Sequence, residues 1–272
     1  MTEQVDAGVA IAVAQFAPTA DPAFNLEVLR DLATTAVARG ARLVVFPEYS
    51  SYFASVLGQD FVDAAQPLDG DFVSELRALS ADLRAWIVAG LVERIDEPNR
   101  FSNTLVAVSP EGDLSATYRK LHLYDAFGEK ESRWVRPGDI EPPALFEFEG
   151  FRVGLQTCYD LRFPEVTRRL VDAGATLVLV PSEWVRGPLK EAHWRTLVTA
   201  RALENTIYVA AADQTPPIGV GNSMIVDPMG VEIATLGETK DVAVATISVD
   251  RIAGVRTLNP ALELRRFAVT VK

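Results

Sequence analysis

Two stretches of this chain are copies of one pattern, and that repetition constrains the fold more than any single residue. In the first, the apolar run Val9–Phe16 is followed by a helical pattern over Asn25–Arg39, then Gly40, then the run ARLVVFPEY from Ala41 to Tyr49. In the second, Phe151–Leu155 is followed by a helical pattern over Pro164–Asp172, then Gly174, then ATLVLVPSEW from Ala175 to Trp184. Short apolar runs closed by proline read as buried strands, and apolar positions three and four apart, as at Leu26, Leu29, Leu32, Ala33 and Val37, read as helices. Each copy is therefore a βαβ unit that delivers an acidic residue, Glu48 or Glu183, just past a strand end. Such a repeat predicts an α/β fold of two related half-sheets within one domain spanning residues 1–272.

The remaining segments fit around these units. A helix is expected over Asp71–Leu83, and a strand at Trp86–Val92 pairs as a hairpin with Phe101–Val108 across the turn 96–100. Leu114–Leu123 reads as extended, with Tyr118, Lys120 and His122 on one face by the two-residue period. Residues 125–138 lack a period and read as a long loop with one helical turn. A hairpin crosses from Phe146 into the Phe151 strand. His193–Asn205 is a helix, Thr206–Ala212 a strand, and Met224–Val226 and Val242–Val249 are closing strands around the turn Asp227–Gly230. The apolar residues of the tail 259–272 (Leu262, Leu264, Phe267 and Val269) are expected to pack on the core or on a partner subunit.

Composition excludes several classes of function. With 272 residues, 49% of them hydrophobic, the chain can bury a large core, and a net charge of −11 argues against partners that reward clustered lysine and arginine, nucleic acid and anionic membranes. The start MTEQVDAGVA lacks the basic and apolar regions of a leader, and no apolar run approaches the length of a membrane span, so a cytoplasmic protein is expected. One cysteine and two histidines leave no paired-ligand spacing for a metal, and no cofactor is expected.

The single cysteine, Cys158, lies where a strand gives way to a turn and then a helix. A lone intracellular cysteine is commonly a small buried hydrophobe, but past the carboxyl end of an α/β strand it faces the crevice where ligands collect. Glu48, Lys120, Cys158 and the Ser182-Glu183 pair all end strands. A carboxylate in a dry site can take a proton from a thiol, and a buried ammonium can stabilise an oxyanion, so these residue types form an acyl-transfer apparatus that needs no histidine. Against this, a strand-end Glu or Lys is ordinarily a solvated rim residue. A Cys158–His122 pair is the rival arrangement, and a ligand-binding or scaffold protein that performs no chemistry is the rival of another class.

The segments VVFPEYS, YRKLHLYDAF and CYDLRFPE, in this order, closely resemble the nitrilase superfamily of carbon–nitrogen hydrolases, and within it the Nit branch that includes ω-amidase and deaminated glutathione amidase. The resemblance runs from IAVAQF to the ELRRF tail. It implies a four-layer α-β-β-α sandwich and a homodimer or higher homo-oligomer. It also implies Glu48 as general base, Cys158 as nucleophile, and Lys120 with the Tyr159 backbone N–H as the oxyanion site. The substrate class it implies is a small carboxamide, cleaved with release of ammonia through a thioester, with N-carbamoyl amino acids and nitriles as alternatives. A second glutamate in the loop after the lysine is expected to position substrate, Glu131 before Glu129. Arg162 reads either as a carboxylate-binding residue or as a salt-bridge partner of Asp160 or Glu165. Trp184 reads as pocket wall or core, and Tyr49 as a pocket residue beside Glu48. Glu183 stands where the branch more often has a smaller turn, and an acid there is expected to repel an anionic tail.

Overall fold

The computed structural model describes residues 8–271, so the first seven residues, where the absence of a leader is expected, and Lys272 at the end of the tail lie outside it. Its twelve strands are β1 (Val9–Gln15), β2 (Leu43–Val45), β3 (Trp86–Arg94), β4 (Phe101–Val108), β5 (Leu114–Arg119), β6 (Leu145–Phe148), β7 (Phe151–Leu155), β8 (Leu177–Ser182), β9 (Tyr208–Asp213), β10 (Met224–Val226), β11 (Glu232–Thr235) and β12 (Asp241–Ile247). The helices are α1 (Pro22–Ala38), α2 (Gln59–Ala64), α3 (Asp71–Leu83), α4 (Pro164–Asp172), α5 (Lys190–Asn205) and α6 (Val249–Leu258).

The strands form two six-stranded sheets, ordered β12-β1-β2-β3-β4-β5 and β11-β10-β9-β8-β7-β6. In each, three central strands run parallel (β1-β2-β3 and β7-β8-β9) and the flanking strands are antiparallel. The two halves are thus built alike, as the repeat predicts.

Alternation along the strands creates the layers. Ile11, Val13, Leu43, Val45 and Val88 of one sheet pack with Leu155, Leu177, Leu179, Ala210 and Ala212 of the other in a shared inner core. Their neighbours on the opposite face, Ala12, Ala14, Val44 and Ile87, meet Leu29, Leu32 and Ala36 of α1 and Leu76 and Leu79 of α3. In the second half Val178, Val180, Val209 and Ala211 meet Leu170 of α4 and Trp194 and Val198 of α5. Strands apolar on both faces are what a parallel sheet covered on both sides requires. The architecture is the expected four-layer sandwich, and each fully buried Leu or Val contributes about 1.5–3 kcal/mol of transfer free energy.

Several elements differ from expectation. The strand from Leu114 ends at Arg119; the Lys120 N–H still donates to the Asn103 carbonyl of β4 at 2.9 Å, and its side chain reaches two carboxylates. The turn 227–230 joins β10 to β11, whereas 241–247 crosses to pair with β1 in the other sheet and closes the first half. Residues 249–258 form α6, capped by the Ser248 hydroxyl, rather than extending the last strand. Pro181 does not end its strand. It lies beyond the end of β7, whose register with β8 stops at Leu155–Leu179, and retains only its pairing with Ala212 of β9. A missing N–H on the vacated side therefore costs no ladder bond. In the tail, Leu262 packs on the α5 core and Arg265 pairs with Asp172 at 2.6 Å, while Leu264 and Phe267 are exposed.

Candidate active site

The ends of β2, β5, β7 and β8 converge on one cavity of about 180 Å³. Glu48 lies fully buried behind it in the turn after β2, at a place where β3 comes unusually near. A Cβ added to Gly90 would lie 2.4 Å from the Tyr49 nitrogen and 2.7 Å from the Glu48 Cα, so only glycine permits this approach. Tyr49 itself has φ of 58°, which turns its ring into the cavity.

Cys158 opens a 3-10 turn (Cys158–Arg162) with φ of 43°, a conformation non-glycine residues rarely adopt. The turn is held by a capping box between Thr157 and Asp160. Asp160 is fully buried and also accepts from the Tyr118 hydroxyl at 2.6 Å, the His122 backbone N–H at 2.9 Å and the His122 ring at 2.8 Å. His122 therefore pairs with Asp160 and stacks on Phe163, which removes the proposed Cys158–His122 pair. The Cys158 Sγ instead donates to the Glu183 carbonyl at 3.3 Å.

Lys120 is the hub. Its Nζ lies 2.9 Å from Glu48 Oε1 and 3.0 Å from Glu131 Oε2, and all three side chains are almost wholly buried. Burial opposes the Lys120 charge, but Glu131 and Glu48 overcome it and hold its pKa well above the ordinary value. Glu131, first residue of the 3-10 turn Glu131–Arg133 in the long loop, also accepts from the Tyr49 hydroxyl at 2.8 Å and the Tyr124 N–H at 2.5 Å. Glu129 lines the cavity but makes no ion pair with Lys120, so the loop glutamate joined to the hub is Glu131.

The Glu48 carboxylate is fixed from both halves. Asn103 Nδ2 donates to Oε1 and the Glu183 backbone N–H to Oε2 at 2.6 Å. Burial, then Glu48, pushes the Cys158 thiol well above its ordinary pKa, while Lys120 pulls it down. Burial, then Glu131 and Glu48, likewise raises the Tyr49 phenol.

The other expected residues also line the cavity. The Arg162 guanidinium lies 4.8 Å over the Trp184 ring and 6.0 Å from Tyr159, with no ion pair to Asp160 or Glu165 among the described residues, so the salt-bridge alternative fails. Trp184 is both wall and core: it borders the cavity and packs against Trp194 at 5.6 Å. Three residues went unrecognised in the sequence. Asn103 sits between Ser102 and Thr104 with nothing local to single it out, and Asp160 enters the sequence reading only as a partner for Arg162. Asp213, which accepts from the Trp184 and Val220 N–H groups, ends β9 as Glu48 and Glu183 follow β2 and end β8. Among the described residues no cluster of side chains could hold a metal ion.

Comparison with known proteins agrees with this geometry. The carbon–nitrogen hydrolase family profile matches residues 10–257. The chain is 41% identical over 265 residues to a deaminated glutathione amidase of Escherichia coli O157:H7, covering 95% of this chain and 97% of that protein. The solved structure of the Caenorhabditis elegans NitFhit protein superposes with a TM-score of 0.86 at 30% identity, over 96% of this chain and 66% of that one. An amidase from Nesterenkonia sp. AN1, solved as a glutamate-to-glutamine mutant with acrylamide added to its active-site cysteine, superposes with a TM-score of 0.76 at 29% identity, over 94% of this chain and 100% of that one. The chain belongs to the carbon–nitrogen hydrolase family, in the nitrilase superfamily.

Proposed function

We propose that this carbon–nitrogen hydrolase cleaves small carboxamides through a thioester on Cys158, with Glu48 as general base and Lys120 and the Tyr159 backbone N–H facing the oxyanion. The observation that carries this reading is that Lys120 and Cys158, from separate strands, line one cavity while Glu48, fully buried behind it, sits 2.9 Å from the Lys120 Nζ. Glu48 takes the thiol proton as sulfur bonds to the amide carbon, and Lys120 offsets the charge that develops on oxygen. The proton returns to nitrogen, the C–N bond breaks and ammonia leaves. Water then adds to the thioester, losing a proton to Glu48, and the acid departs as the thiol is restored.

Ammonia release from carboxamides, N-carbamoyl amino acids and nitriles tests the substrate class, with turnover expected for carboxamides. Mass spectrometry of the unaltered protein, acid-quenched during reaction with an activated ester, should show an acyl adduct on Cys158. No adduct and no ammonia from any class would leave a ligand-binding or scaffold role as the better reading.

Two broader expectations accompany this reading. No described helix is long and apolar enough to cross a membrane, and a free thiol at the centre of the site suits the reducing cytoplasm, where we place the protein. The tail side chains Leu264 and Phe267 are 72% and 92% exposed, which supports a homo-oligomer of at least two copies that covers them. Light scattering of the chain ended after Leu258 should then report a smaller assembly than the full chain.

A further inference from the structure

Asn103 is held in an orientation that leaves one of its polar atoms unsatisfied. Its side chain is wholly buried in β4; Nδ2 donates to Glu48 Oε1 and, at 3.4 Å, to Glu131 Oε1, while Oδ1 is buried with no hydrogen-bond partner. A buried acceptor without a partner lowers stability and asks for a reason. Turning the amide over would set Oδ1 against two carboxylates, so the glutamates fix which way it points.

The same residue also holds the root of the lysine. Its carbonyl accepts from the Lys120 N–H at 2.9 Å, just past the end of β5, and its amide grips the two carboxylates that hold the Lys120 Nζ. Strand alternation turns its neighbour away: the Thr104 hydroxyl donates to Glu93 at 2.6 Å.

The two oxygens of Glu48 are not equivalent. Oε1 accepts from Lys120 Nζ at 2.9 Å and from Asn103, whereas among the described residues Oε2 accepts only from the Glu183 N–H, at 2.6 Å. A carboxylate oxygen offers about two lone-pair sites, so Oε1 is filled and Oε2 keeps one. The carbonyl of that same Glu183 receives the Cys158 thiol, which ties Oε2 and the sulfur to one residue.

Resting on the amidase reading, we propose that Asn103 is a positioning residue for the base: by filling Oε1 together with Lys120, it directs the Cys158 proton to Oε2. As the S–H bond breaks and sulfur bonds to the amide carbon, the proton is taken at Oε2 while Oε1 stays with Asn103 and Lys120. The proton leaves Oε2 for the amide nitrogen as the C–N bond breaks. Without Asn103, Oε1 regains a free lone pair and the carboxylate loses one of the contacts that fix its rotation.

Steady-state ammonia release from butyramide by Asn103 variants tests this. Asn103→Leu, similar in size and without a donor, should lose about 100-fold in kcat with KM within about threefold of the parent's. Thr104→Val, one residue on and facing the other way, should keep kcat within about threefold. Asn103→Asp separates positioning from packing, because it has the same shape but supplies a donor only when protonated. Its kcat relative to the parent should rise about tenfold from pH 8 to pH 5.5, while the Leu ratio stays flat. A Leu variant with kcat near the parent's, a loss carried by KM, or an Asp ratio that does not rise at low pH would each overturn the proposal. If the Leu variant does not fold, the Asp comparison decides alone. Alkylation of Cys158 by iodoacetamide draws on the same proton transfer without amide hydrolysis, so Leu should slow it and Asp should recover towards low pH. An unaltered protein that releases no ammonia from any amide would count against the amidase reading, and the alkylation series would still test Asn103.

Discussion

The backbone N–H of Glu183 donates to Glu48 Oε2 at 2.6 Å, joining the two copies of the sequence repeat at the point where each leaves its sheet. The Glu48 carboxylate of one half is therefore oriented in part by the main chain of the other. Gln214, just past β9, adds a second link by donating to the Glu48 carbonyl at 3.0 Å. Neither half-sheet can orient Glu48 alone, so docking of the sheets and assembly of the site are one event.

Lys120→Met should be among the most damaging single changes. It leaves Glu48 and Glu131 buried side by side with no ammonium between them, and breaking a buried pair in this way costs about 3–5 kcal/mol. Urea denaturation should show that loss at pH 8. Turnover should be lost as well.

Gly90→Ala tests whether the close approach of β3 sets the position of the base. The new methyl collides with the Glu48–Tyr49 backbone, so the turn must move by tenths of an ångström or more. A fall in kcat of about 100-fold is expected, since misplacement by 1 Å is enough for that. Circular dichroism should still report a folded protein.

Asp160→Ala removes the acceptor for Tyr118, the Thr157 N–H, and both the backbone and ring of His122. Each donor left buried and unpaired costs about 1–3 kcal/mol, so a thermal-shift assay should show marked destabilisation. Because the same carboxylate fixes the Cys158 turn, alkylation of the thiol by iodoacetamide should change in rate. Asp160→Asn should show a smaller effect on both measurements.

Glu183→Gln carries a pH signature in stability. The Glu183 carboxyl has a raised pKa in the fold, so between its unfolded and folded values the native state holds the extra proton. Stability from this group is thus full below the unfolded value and is lost as pH rises through the folded one. Glutamine does not titrate. The melting temperature of the Gln variant relative to the parent should therefore climb from pH 4.5 to pH 8, and a gap that stays constant or narrows would contradict the assignment.

The sequence by itself determined the two-half architecture, because strand and helix periods are local and the chain writes them twice. It also determined that Cys158 and Glu183, past the carboxyl ends of neighbouring parallel strands, share one edge, while the docking of the other sheet brings Glu48 to them. The tertiary structure decided the partners. Asn103 is one of three polar residues, with Ser102 and Thr104, in the strand FSNTLVAV, and only the register of β4 against β3 and β5 brings its amide to Glu48. His122 follows Lys120 by two residues and shares its face by period, yet the chain leaves β4 after Lys120, and His122 goes to Asp160 instead. Acidity at position 183 implied a repelling charge, since a side chain's ordinary pKa is all that sequence supplies. Whether that charge exists depends on how many carboxylates share one ammonium in the dry space between the sheets, and that number is set only when distant segments are packed together.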